Sequence, residues 1–186
     1  MRILLFVFFM IPCLCFSQEK FIKWSCCEKL SWTDFKDQAK RNVDAAAISN
    51  VNLGVDIVSK PTYFIVSVHC LFDQSKSWVI KSKMSGYLLN HEQKHFDLTE
   101  VYARKLRRYI DSLNNLKPFN FTELNELISK KYFLIKSELV SVQLEYDKST
   151  NHCSNIEIQK VWDKKISDWL MDFDGFKQES IVIRRK

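Results

Sequence analysis

The sequence has little glycine and little proline, with three residues of each among 186. This scarcity, together with the absence of any segment that repeats at a fixed period, argues against a long flexible linker, a low-complexity region or a repeat protein. The hydrophobic content is 46%, and a chain of this length buries one core but hardly two. We therefore expect a single domain.

The sequence also lacks an apolar segment long enough for a membrane span. The run Ile3–Phe16 follows Arg2 and is interrupted by Pro12, whereas about 20 apolar residues are needed to cross a bilayer core. We interpret residues 1–17 as a secretory signal peptide, with an uncleaved anchor as the alternative. The mature domain, residues 18–186, is then expected in the periplasm or secreted, without an integral membrane span.

Export would allow disulfides to persist among the four cysteines of the mature chain. Cys26 and Cys27 are adjacent, and a bridge between neighbouring residues is strained. The sequence therefore favours bridges from this N-terminal pair to Cys70 and Cys153, with free thiols as an equally weighted alternative.

Strong charge bias is missing too, since 28 basic and 22 acidic residues are interspersed and the formal net charge is +6. The densest basic cluster, "ARKLRR" at 103–108, spreads around a predicted helix without aromatic interleaving or a nucleic-acid motif. We interpret it as a solvated helix face and expect no nucleic-acid partner.

The hydrophobic pattern predicts an α+β fold. After an irregular N-terminal cover, short β-rich runs are expected to form two or three antiparallel strands, at 46–58, 62–72 and 77–81. Three helices should follow: one capped by Ser85 and running to about Leu113, one opened by an Asn120–Glu123 capping box and running to about Glu145, and one at 156–173. The tail from Lys177 is ambiguous.

The first of these helices contains the segment "HEQKH" at 91–95. On a helix, residues four apart share a face, so the imidazoles of His91 and His95 can converge on one cation. Glu92 can then reach a water activated by zinc, whose pKa zinc lowers to about 7, and act as a general base. HExxH would arise by chance in roughly 0.005 of chains of this composition. The alternative is a solvent-facing helix that carries two histidines.

A catalytic zinc needs a third protein ligand, and the sequence does not extend to HExxHxxGxxH. Glu100 lies about 180° from His91 on an unbroken helix, so we expect it to pair in the core or to support the site indirectly. His152, in a polar loop, is the preferred third ligand. His69 alternates with apolar residues on a strand and is more typical of an edge or hydrogen-bonded core residue.

Two further polar residues lie just before His152. Asp147 could orient His152 through its free ring nitrogen, which we favour, or bind zinc in its place. Tyr146 is a weak candidate for stabilising an oxyanion, because a tyrosine at a helix end is usually a packing residue.

Three segments resemble the bacterial domain-of-unknown-function family numbered nine hundred and twenty-two, whose members are described as predicted secreted zinc-dependent proteases. The segments are "LSWTDFK" at 30–36, "LLNHEQKHFDLTEVYARKLR" at 88–107, and "YDKSTNH" at 146–152 with "QKVWDKKI" at 159–166. The resemblance implies zinc on His91 and His95, with Glu92 catalytic and with His152 or Asp147 completing the site. Where the family has Gly after the final His, this chain has Cys153.

The combined expectation is a zincin-like fold in which a small antiparallel sheet packs on a long HExxH helix, with two further C-terminal helices. The expected activity is hydrolysis of peptide bonds in a peptide or protein substrate, with zinc as the cofactor. The alternatives are a non-catalytic binding or scaffold protein of the cell envelope that keeps the metal site, and a metal-dependent amidase that acts on cell-wall peptides. The sequence does not indicate an oligomeric state.

Overall fold

The computed structural model describes residues 20–39 and 45–186. The predicted signal peptide lies outside these residues. The described elements, in chain order, are β1 (Phe21–Lys23), β2 (Ala47–Ile48), β3 (Val51–Ser59), β4 (Tyr63–Asp73), β5 (Trp78–Val79), α1 (Gly86–Ser112), α2 (Phe121–Ser149), α3 (Ile156–Asp172) and β6 (Ser180–Arg184). The chain is therefore mixed α+β with small antiparallel sheets and three helices, as the sequence predicts at this level.

Strand β4 is the centre of the main sheet. It pairs along its length with β3, while β1 and β6 pair with its two ends, all antiparallel. The side chains of β4 alternate strictly: Phe64, Val66, Val68, Cys70 and Phe72 are buried, as expected where one face of a strand packs on a core. That face covers α1, and Phe72 packs against Phe96.

The short strands differ from the sequence expectation in their partners. The predicted third strand is β5, which pairs with β2 in a separate two-stranded sheet instead of extending the main sheet. The ambiguous tail forms β6, with Ile183 fully buried opposite Phe64. Two-residue and terminal strands have too few alternating positions for their pairing to be predicted from pattern.

The helix boundaries follow local capping chemistry. Ser85 accepts a hydrogen bond from the Leu88 backbone N–H at 3.0 Å, which confirms the predicted start of α1. Asn120 and Glu123 form the predicted reciprocal capping box of α2. That helix continues to Ser149, beyond the predicted end near Glu145. None of the helices described here is long and apolar enough to cross a membrane.

The four described cysteines are free thiols, so the predicted bridges to Cys70 and Cys153 are not formed. Cys26 and Cys27 are exposed, with their sulfur atoms 3.4 Å apart. Cys70 is buried on the inner face of β4, and burial raises the pKa of its thiol well above the ordinary value. It contributes to the core as a small apolar side chain.

Glu100 anchors a buried ion cluster on the side of α1 that faces the sheet. Its carboxylate accepts hydrogen bonds from Arg104 at 2.9 Å and from Arg107 at 2.8 Å. Arg107 also donates to the carbonyl oxygens of Val68 on β4, at 2.8 Å, and of Phe176, at 3.2 Å. The cluster therefore joins α1 to the central strand and to the segment after α3. Because Arg104 and Arg107 are buried, the prediction that the basic segment 103–108 is a solvated helix face is wrong for these two residues.

Replacing Arg107 by Met should destabilise the protein by about 3–5 kcal/mol, because the Glu100 carboxylate and the Val68 carbonyl lose buried donors. Urea unfolding of wild type and variant measures the difference. Arg108→Ala, an exposed neighbour on the same helix, is the control and should change the unfolding free energy by less than about 1 kcal/mol. Equal losses in the two variants would refute a special contribution from Arg107.

Candidate metal centre

Two turns from different helices bring three ligand atoms together. His91 and His95 lie one turn apart on α1, and Asp147 comes from the last turn of α2. The two Nε2 atoms are 3.3 Å apart, and Asp147 Oδ1 lies 3.2 Å from His91 Nε2 and 2.9 Å from His95 Nε2. Among the described residues these three form the group of His, Cys, Asp or Glu side chains that could hold a metal ion.

The proton on His91 is fixed by Gln159 of α3. The Nδ1 atom of His91 lies 3.0 Å from Gln159 Oε1. The orientation of this amide is set independently, because Gln159 Nε2 donates to Asp163 Oδ1 at 2.8 Å and to the Tyr146 hydroxyl at 2.7 Å. A carbonyl oxygen accepts only, so His91 carries its proton on Nδ1 and leaves an Nε2 lone pair directed at the group.

Gln143 of α2 fixes the position of the proton on His95. Its Oε1 accepts from His95 Nδ1. Its Nε2 donates to the His95 backbone carbonyl at 3.0 Å and to Thr99 Oγ1 at 3.3 Å, which fixes the direction of the amide. The Nε2 atom of His95 is therefore also an unprotonated donor to a metal when the ring is neutral.

With both protons on Nδ1, two nitrogen lone pairs and one carboxylate oxygen converge on the same point. Such an arrangement is repulsive until a cation occupies it. A tetrahedral zinc with ligands at about 2.0–2.1 Å separates neighbouring ligand atoms by roughly 3.3 Å, close to the observed 2.9–3.3 Å. Two imidazoles and one carboxylate are also a donor set of catalytic zinc sites. The residues fit zinc.

The electrostatics of the group show how its members interact without a metal. Burial alone would raise the pKa of Asp147, but the imidazoles of His91 and His95 lower that pKa well below the usual value, because each ring can carry a second proton on Nε2 and donate it to the carboxylate. Burial alone would lower the pKa of His95, but the hydrogen bond to Asp147 and the Glu92 charge raise it overall. A second proton on His95 would therefore offset the charge of Asp147.

Glu92 lies beside the group but does not belong to it. Its side chain is only 3% exposed, and no hydrogen-bond partner for its Oε2 atom is found in the described part of the chain. Glu92 lines a cleft of about 410 Å³ together with the three ligand residues. A buried carboxylate oxygen without a donor is costly, and here it borders the cleft.

Tyr146 packs against both imidazole rings. Its ring stacks on His91, with ring centroids 4.6 Å apart and planes 19° apart, and meets His95 edge-on. Its hydroxyl is 2.9 Å from Gln159 Oε1 and 3.3 Å from the His91 carbonyl oxygen, and burial raises the pKa of this hydroxyl. The Tyr146 hydroxyl is thus held in the hydrogen-bond network of the ligands. This is a different position from that expected of an oxyanion donor.

His152 lies in the tight turn between α2 and α3 and lines the cleft, but it is exposed and outside the three-atom group. Asn151, His152 and Cys153 have φ values of 48°, 48° and 74°, a left-handed run that costs non-glycine residues energy. The turn is held by the His152 N–H, which donates to the Asp147 carbonyl at 2.9 Å. The structure therefore assembles the alternative third ligand, Asp147, with the histidines, and not the preferred His152.

Two other sequence candidates lie away from the centre. Glu100 points to the opposite side of α1, as helical geometry predicts, and pairs with arginines instead of supporting the histidines. His69 is on the outer face of β4, with Nε2 3.1 Å from Asp56 and Nδ1 3.3 Å from Glu179. It is a paired surface residue of the sheet, the interpretation that the sequence favours.

Neither Gln143 nor Gln159 was predicted from the sequence as part of the site. Gln143 stands four residues before Asp147, so a helix extended beyond Glu145 would have placed the two on one face. Gln159 lies within "QKVWDKKI", one of the segments that carry the family resemblance. Nothing in the hydrophobic pattern of this segment distinguishes a buried glutamine from an exposed one.

No family model matches this chain, and no curated protein and no solved structure matches it. The geometry alone defines the class of site: two histidines and one carboxylate converge beside a buried glutamate.

Replacing Asp147 by Ala should weaken zinc binding by more than about 100-fold, because loss of a ligand costs more than loss of a ligand's hydrogen-bond partner, which typically costs 10–100-fold. His152→Ala should bind zinc like wild type, and His91→Ala should lose it. Competition with a fluorescent chelator measures all three affinities. Loss of zinc in His152→Ala with retention in Asp147→Ala would identify His152 as the third ligand.

Without metal, the Asp147–His95 pair should make stability depend on pH. The lowered pKa of Asp147 contributes stability above its unfolded value, about 3.9, and loses it as pH falls. The raised pKa of His95 contributes fully below its unfolded value, about 6.5, and loses it as pH rises through the folded value. In chelator, Asp147→Asn should therefore destabilise the protein more at pH 5.5 than at pH 8.5.

Urea unfolding at the two pH values measures this difference. Asp111→Asn, an exposed position on α1, is the control and should show no such dependence. An Asp147→Asn effect of the same size at both pH values would contradict the pairing.

Proposed function

We propose that this protein is an exported, zincin-like metallopeptidase that hydrolyses peptide bonds with zinc held by His91, His95 and Asp147. The proposal rests on one observation: the convergent ligand atoms and the buried, unpaired Glu92 carboxylate oxygen lie in the same cleft. When bound, zinc supplies Lewis-acid polarisation of a carbonyl and lowers the pKa of a water. The chain's own side chains transfer the proton and orient the ligands.

Glu92 acts as the general base. It removes a proton from the attacking water and delivers it to the leaving amine as the peptide bond breaks. Its Oε2 atom has no competing donor among the described residues, so the carboxylate is available to a water in the cleft. Gln143 and Gln159 hold the imidazole rings through their Nδ1 atoms, which keeps both rings in place during proton transfer.

Strand β2 favours an extended peptide as the substrate. The Ile80 N–H donates to the Ala46 carbonyl at 2.8 Å, and Ala47 is opposite Val79. Hydrogen-bonding groups alternate in direction along an antiparallel strand, so those of Ala47 point away from β5. Because Ala47 also lines the cleft, it can pair with the backbone of a polypeptide added as a further strand.

The resemblance to the family of predicted secreted zinc-dependent proteases agrees with this proposal, since it implies the same roles for His91, Glu92 and His95. It also names Asp147 as one of the two residues that could complete the site. Export follows from the apolar leader at 1–17 and remains part of the proposal.

Replacing Glu92 by Gln should lower kcat by about 10²- to 10⁴-fold, the range typical of general-base catalysis, while zinc content stays near one per chain. The assay uses unfolded protein and peptidoglycan fragments in parallel, so that an amidase acting on cell-wall peptides is detected as well. Glu126→Gln, at an exposed position of α2, is the matched control. Undiminished turnover in Glu92→Gln would exclude this residue as the base.

A further inference from the structure

Helix α2 exposes five large apolar side chains: Phe121, Phe133, Leu134, Val140 and Leu144. By helical spacing, Phe133, Val140 and Leu144 share one face, and they are 69%, 52% and 64% exposed. We call this surface the α2 strip. The outward face of a helix that packs on a core is normally polar. Single exposed apolar residues are ordinary, but a line of them along one helix marks an interaction surface.

Helical geometry connects the strip to the metal centre. At 100° per residue, its three members lie within about 60° of Asp147 around the axis of α2. The buried face of the same helix, which includes Ile135, Leu139 and Val142, is turned about 150° away from the strip. Between Phe133 and Asp147 the helix rises about 21 Å. The strip therefore begins on the face of α2 next to Asp147, outside the residues that line the cleft, and runs along the helix away from it.

The opposite wall of the cleft is β2, with small and apolar residues from Ala45 to Ile48. A polypeptide paired with β2 and presenting a carbonyl to the metal group leaves the cleft past Asp147 and Gln143, which also line it. An extended chain covers 21 Å with about six residues. This continuity identifies the occupant of the strip as the substrate itself, beyond the residues that the cleft holds.

We propose that the α2 strip binds apolar side chains of an unfolded polypeptide substrate, on one side of the bond that is cleaved. The inference rests on the proposed peptidase function and adds a substrate class to it: extended chains with an apolar segment several residues from the scissile bond. Short peptides that fill only the cleft gain nothing from the strip.

The test compares a triple variant, Phe133→Ser with Val140→Ser and Leu144→Ser, with wild type. The long substrate is reduced, carboxymethylated α-lactalbumin, and the short one is an eight-residue peptide centred on a cleavage site mapped in it. The control variant combines Ile156→Ser, Val161→Ser and Met171→Ser on α3, whose side chains are 54%, 60% and 64% exposed. Urea unfolding verifies that each variant is folded.

The strip variant should raise KM for the long substrate by about tenfold or more at unchanged kcat, with normal kinetics on the short peptide. The control should match wild type on both. An unchanged KM for the long substrate, or equal losses on both substrates, overturns the inference. So does a wild-type dimer in sedimentation that the strip variant converts to a monomer, because the strip is then a self-association surface.

A binding measurement separates this inference from the proposed catalysis. Labelled carboxymethylated α-lactalbumin is titrated with Glu92→Gln protein, with and without the three serine substitutions, and the Kd should rise about tenfold in the strip variant. Strip-dependent binding without any cleavage by wild type removes the peptidase proposal and keeps the binding surface. Cleavage that does not depend on the strip removes the surface and keeps the peptidase.

Discussion

Two glutamine side chains determine which nitrogen of each imidazole carries the proton, and the candidate metal centre depends on this protonation. Each glutamine presents its carbonyl oxygen to an Nδ1 atom, and each is kept from rotating by separate acceptors to which its amide nitrogen donates. Neutral amides set the tautomer as firmly as carboxylates do, but they add no charge. The negative charge around the histidines comes from the carboxylates of Asp147 and Glu92. In the proposed function, the first would bind the ion and the second would accept a proton.

Helix α1 separates two kinds of buried charge along its length. Its first turns present His91, Glu92 and His95 to the cleft, beside the Asp147 carboxylate. In the proposed function, a cation would offset the negative charge there. Its middle presents Glu100 to two arginines, and Arg107 also donates to a backbone carbonyl, so each of these charged groups has a partner within the protein. The Glu100 cluster fixes α1 against the central strand. The fixed middle of the helix therefore supports the turns that carry His91, Glu92 and His95.

What could be predicted from the sequence was local. The HExxH spacing, the Ser85 cap, the capping box at Asn120 and the alternation of β4 depend on residues a few positions apart, and the structure contains all four. The choice between Asp147 and His152 depended on where α2 ends. Its extra turn keeps Asp147 helical and facing α1, while the left-handed residues that follow carry His152 to the rim. Gln159 could not be found because its role requires α3 to lie against His91, a contact across 68 positions of the chain.

That contact also sets the order in which the centre can be assembled. The HExxH segment offers two ligands as soon as α1 forms, but Asp147, Gln143 and Gln159 arrive only when α2 and α3 dock, after loops of about fifty to seventy residues have closed. If the centre binds a metal as proposed, a partly folded chain would hold it weakly, and tight binding would be reached only in the native packing. Metal occupancy would then stabilise the finished fold by mass action without guiding its formation. For a chain that folds after export, the ion would be taken from the destination compartment.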